Sequence, residues 1–228
     1  MLRFMDSRYE GAPVTIDGIL PSLAALGLGT LVGPGAARAE ESAAQSLPAL
    51  CVSAEQRSAV QARVAAGGRW SPGSLAADTG LTEAQVLAAL PAERRVGIAG
   101  DGFHAVWARL VGWNDAVFIV RKAGHVFEIH GKVHSGEPSK VSKYFNLDDA
   151  GAGVTGHLRP DLVAAIYAAE LPGREGPERG VLFYDRDGQL AFEVYVPVTE
   201  QDPREGVLAQ FLATRAAMQA LPAPRCPG

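Results

Sequence analysis

Residues 180 to 197 read GVLFYDRDGQLAFEVYVP, two runs rich in β-branched and aromatic residues on either side of Asp187-Gly188. Asp-Gly supplies the positive-φ position that a tight turn demands, and the flanking runs suit a pleated, half-buried surface. The stretch predicts a β-hairpin, which rules out an all-helical chain. A second hairpin is predicted at 116 to 131, AVFIVRKAGHVFEIHG, where Lys122-Ala123-Gly124 joins two short runs. In its second run Val126 and Glu128 alternate with Phe127 and Ile129, so one face is more polar than the other.

The run LVAAIYAAEL, residues 162 to 171, is helical by its alanine content and strand-like by its length. Pro172-Gly173 follows, and a hairpin into 180 to 185 completes an antiparallel meander, so a strand is expected. Helices flank this block. Residues 56 to 66 and 74 to 90 carry apolar side chains at helical spacing. Gly80 is a stop, Thr82 with Gln85 is a capping box, and Leu81 is placed to staple onto Val86 or Leu87. Near the end of the chain, Val207, Leu208, Phe211 and Leu212 form one apolar stripe of an amphipathic helix.

Strands in a block with helices at both ends define an α+β fold. Three divisions are expected: an extension over 1–50, a helical region of helix-turn-helix pattern over 51–92, and an α+β domain over 93–220. With 228 residues, 47% of them hydrophobic, the chain can bury the core of one ordinary domain or of a domain with a small appendage.

A net charge of −4 provides no broad basic field, and the segment EAQVLAAL offers Glu83 and Gln85 but no Lys or Arg to reach phosphate or guanine. Nucleic acid is not an expected partner, and the helical region is read as a packing or dimer-forming appendage. The apolar run at 19 to 32, followed by Ala37-Arg38-Ala39, resembles an export signal, but two positive residues before it face three negative ones. That run is too short and too broken by Gly and Pro to span a bilayer, so stable membrane insertion is not expected. Cys51 and Cys226 stand near opposite ends with no C-x-x-C spacing, which supports neither a zinc cluster nor a disulfide framework. A reducing, cytoplasmic setting is expected, with export left open.

His125, His130 and His134 invite a zinc reading, but on a strand the first two point to opposite faces, and no HExxH spacing supports it. There is no G-x-S-x-G elbow, Walker loop or dinucleotide fingerprint. What remains is YFNLDDAGAGVTGHLRPD, residues 144 to 161. A Tyr phenolate or a His imidazole is a natural axial ligand for haem iron, a flat macrocycle needs an apolar face, and its propionates need cations. Tyr144 and His157 are the alternative iron ligands. Phe118, Val120, Phe127, Ile129 and Phe145 are candidates for the face, and Lys140, Lys143 and Arg159 for the propionates.

The segments WARLVGWNDAVFIVRKAGHVFEIHG, KYFNLDD, TGHLRPDLVAAIYAAE and VLFYDRDGQLAFEVYVP, taken in order, resemble the intracellular haem-utilisation carriers of the HutX/ChuX group. The resemblance covers roughly residues 75 to 215. It implies a large, saddle-like antiparallel sheet, a homodimer, haem b bound as cargo, and transfer to a haem-degrading acceptor. It also implies Tyr144 or His157 as ligand. Where several members of the group carry His in the first strand, this chain has Arg121, and His125 is the residue nearby that could stand in. Two other functions remain open from the residues alone: haem degradation with an external reductant, and regulation through the N-terminal helices.

Overall fold

The computed structural model describes residues 49–148, 151, 153–174, 176–196 and 205–226. The signal-like run and the rest of residues 1–48 lie outside the described residues. Three helices come first: α1 (Ala54–Ala65), α2 (Pro72–Thr79) and α3 (Glu83–Ala89). Each opens on a capping box, from Ser53, Ser71 and Thr82, whose side chains accept from the backbone N–H groups of Gln56, Ser74 and Gln85. Gly80, at φ 68°, takes the left-handed conformation that closes α2 at little steric cost.

Strand β1 (Arg95–Ala99) and helix α4 (Phe103–Leu110) follow, then β2 (Ala116–Lys122) and β3 (His125–Gly131). Three short strands come next, β4 (Gly136–Pro138), β5 (Phe145–Leu147) and β6 (Gly156–Leu158). The chain continues through β7 (Ala165–Pro172), β8 (Pro177–Tyr184) and β9 (Leu190–Val196) to helix α5 (Glu205–Met218). Six strands pair antiparallel in the order β1-β7-β8-β9-β2-β3, and β4-β5-β6 make a separate small sheet. The expected α+β class, the two hairpins and the strand at 162 to 171 are all present.

Alternation along the strands sorts the apolar residues into two cores. On one face Ile98, Phe118, Ile166, Val181, Phe183 and Val194 pack with Phe103, Trp107 and Leu110 of α4, Phe211 of α5, and Phe145 and Leu147 of the small sheet. On the other, Tyr167, Leu182, Tyr184 and Tyr195 pack with Val60, Leu75, Val86 and Leu87 of the first three helices. Strand β7 is buried from both sides, and so its sequence shows no alternation of polar and apolar residues. Ala84, Gln85, Val86, Leu87 and Ala89 of α3 are all buried, so this helix is committed to packing.

The two cysteines meet in a disulfide, Cys51 to Cys226, with Cα atoms 5.7 Å apart. The sequence reading expected none. Their separation of 175 residues hides the pairing in the linear chain, while the fold returns the segment after α5 to the entrance of α1. Among the described residues no helix is long and apolar enough to cross a membrane.

Candidate functional site

The small sheet shapes the site. Strand β5 turns Phe145 and Leu147 into the core, where the Phe145 ring meets the rings of Phe103 and Trp107 at 5.7 and 6.1 Å. Alternation sends Tyr144 and Asn146 to the outer side. His157 stands opposite Asn146 on β6, and its Nδ1 lies 2.8 Å from Asn146 Oδ1. An amide oxygen only accepts, so Nδ1 is assigned as the donor of this contact. The rings of Tyr144 and His157 are 5.8 Å apart.

Two cations join them. Arg159 lies over the Tyr144 ring with Cζ 5.6 Å from its centroid. Its Nε and Nη2 donate to the two carboxylate oxygens of Asp161 at 2.7 and 2.8 Å. Lys143 Nζ is 3.7 Å from that same carboxylate. The Arg159 hydrogen bonds, aided by the positive charges of Arg159 and Lys143, hold the Asp161 carboxyl down at about 2. Two positive charges and one negative leave the trio at net +1 around an exposed phenol.

Beside Tyr144 opens a cleft of about 300 Å³, lined by Lys143, Tyr144 and Asp161, by the apolar surfaces of Pro138, Phe145 and Pro160, and by His104 of α4. A second cleft of about 400 Å³ shares His104 and Phe145 with the first and adds Trp107, Val111 and Gly136. A phenolic oxygen, an apolar wall and surplus positive charge suit a flat, largely apolar body with anionic substituents.

Other expected residues are placed elsewhere. Arg121, on β2, is ion-paired with Glu193 of β9 on the face turned to the N-terminal helices. Phe127 and Ile129 are exposed on β3. Phe118 is core, and Val120 pairs with Phe127. None of these lines the two clefts. His125 and His130 are exposed on β3 and His134 is buried, and among the described residues no group of three or more His, Cys, Asp or Glu is placed to hold a bare metal ion. Sequence reasoning gave no part to His104, which lacks any motif spacing and is brought to the cleft only by tertiary packing.

The fold and this outer sheet define a class of α+β proteins built on one large antiparallel sheet, to which several haem-handling proteins are similar in shape. The structure of the heme binding protein ChuX superposes with a TM-score of 0.62 at 20% identity, over 70% of this chain and 99% of that one. Apo-PhuS, a heme-binding protein of Pseudomonas aeruginosa, gives a TM-score of 0.57 at 18% identity, over 73% of this chain and 49% of PhuS. The family model for haem utilisation ChuX/HutX matches residues 96–213, and the chain belongs to that family. A curated relative, the intracellular heme transport protein HutX of Vibrio cholerae serotype O1, is 25% identical over 150 residues, 65% of this chain and 74% of HutX.

Proposed function

We propose that this protein is an intracellular carrier that binds haem b as cargo, through iron ligation by Tyr144, and passes it to a haem-degrading acceptor. The observation that carries the reading is the exposed Tyr144 phenol at the rim of an apolar cleft, with Arg159 and Lys143 beside it. His157 shares the outer face of the small sheet and is the alternative ligand. Phe145 supplies wall rather than a free stacking surface, because only 6% of it is exposed. An open site with its oxygen donor at the rim suits a carrier, since cargo enclosed too tightly leaves too slowly to be handed on.

The assembly is proposed to be a homodimer. Strand β3 is an edge strand with Val126, Phe127 and Ile129 exposed, and a free edge of that kind pairs readily with a second copy. The compartment is proposed to be the cytoplasm, after the intracellular relative.

Titration with hemin tests the carrier reading. Wild-type protein is expected to shift the Soret band saturably at one haem per chain, and Tyr144→Phe to weaken binding and move the position of the shifted band. Ascorbate added in air is expected to leave the spectrum intact. Bleaching with release of iron would instead make the protein a haem-degrading enzyme.

A further inference from the structure

His104 stands where the two clefts meet, on the first turn of α4. Its ring is packed edge-on against Phe103 and Phe145, at centroid distances of 5.4 and 5.2 Å. Those contacts fix the plane of the ring, and no hydrogen bond among the described residues occupies either ring nitrogen. An oriented imidazole with a free lone pair at the edge of a cleft is a ready donor to a metal centre.

The small sheet by itself offers donors from one side only. Tyr144 and His157 lie diagonally on adjacent strands and project from the same face, as the pairing of Asn146 with His157 requires. Both therefore approach a flat macrocycle from the same side, whereas two axial ligands of one iron must stand on opposite sides. A second axial donor has to come from another element. Among the described residues lining the Tyr144 cleft, His104 is the one imidazole, and it is contributed from outside the small sheet and its loops. His157 does not line that cleft.

We propose that His104 is the second axial ligand of the haem iron, completing a Tyr144–His104 pair. The proposal rests on the carrier reading above. Its chemistry is ligation alone: the neutral imidazole donates a lone pair to ferric iron, and nothing is oxidised or reduced.

The test uses the full chain loaded with ferric hemin and read by absorption and electron paramagnetic resonance. Wild type is expected to show a six-coordinate species, and His104→Ala a five-coordinate high-spin one. Added imidazole should restore six-coordination in that variant. Hemin transfer to apomyoglobin should be roughly tenfold faster from His104→Ala than from wild type, since loss of a ligand acts mainly on the off-rate. His104 is exposed and circular dichroism checks the fold; His104→Gln, closer in size, should behave as the Ala variant does. An unchanged spectrum and off-rate in His104→Ala, or loss of six-coordination in His157→Ala instead, overturns the proposal while the carrier reading stands. Wild-type protein that fails to bind hemin overturns both.

Discussion

Arg121 on β2 extends to Glu193 on β9, placing Nη2 2.6 Å from a carboxylate oxygen of a side chain with no exposure to solvent. Burial pushes the Glu193 carboxyl up to about 7 even though Arg121 pulls it down; Tyr195 also lowers it, and the charges of Glu83 and Glu178 raise it. A raised carboxylate means the folded chain holds a proton that the unfolded chain releases from about 4.5 upward. Stability from this group is therefore greatest below about 4.5 and is lost as pH rises to about 7, by roughly 3 kcal/mol. Urea unfolding followed from pH 5 to 8 is expected to show this decline, and Glu193→Gln to flatten it. An equal slope in both proteins would show that another group is responsible.

The Cys51–Cys226 disulfide ties the segment after α5 to the start of α1. Reduction, or Cys226→Ser, is expected to lower unfolding stability by about 2–4 kcal/mol, because the unfolded chain regains the freedom of a long loop. A thiol count on protein prepared under alkylating conditions also tests the compartment. In a reducing cytoplasm both thiols are labelled, whereas recovery of the oxidised pair would place the protein in an oxidising one.

Asp161 occupies both cations that the proposed site offers to carboxylates. Asp161→Asn removes the competing charge and is expected to tighten hemin binding severalfold, with stronger salt dependence, in a fluorescence-quenching titration. Weaker binding would mean that Asp161 positions Arg159 rather than competing for it.

Gly100 is pressed against the backbone of Val163 and Ala164, and its N–H donates to the Ala164 carbonyl at 2.9 Å. A methyl group there would overlap the Val163 carbonyl, and backbone has little room to yield. Gly100→Ala is expected to cost about 2 kcal/mol or more in thermal or urea unfolding.

Much of the scaffold was legible because its signals are local. The hairpin turn at 122 to 124, the Asp187-Gly188 step and the Thr82–Gln85 capping box each depend on a few adjacent residues. The small sheet was not legible, since its strands are three residues long and too short to show alternation. For the same reason the inward turn of Phe145 beside the outward turn of Tyr144 was hidden: only the register of β5 shows it. The partners of Arg121 and Cys51 lie 72 and 175 positions along the chain, so neither is marked by any local spacing. His104 reached the cleft by the docking of α4, which no pattern around it announces.

Trp107 donates its indole N–H to the His134 carbonyl at 3.0 Å, and Phe103, Val106 and Leu110 of the same helix are buried. One side of the cleft is thus bolted to the interior. Across from it, residues 139–144 form a surface loop whose Val141 is almost wholly in solvent. Displacing the exposed tip of that loop costs far less buried area than shifting α4, which would break a core. The stretch carrying Lys143 and Tyr144 is therefore the wall of the cleft that yields at least cost, while the α4 wall stays fixed.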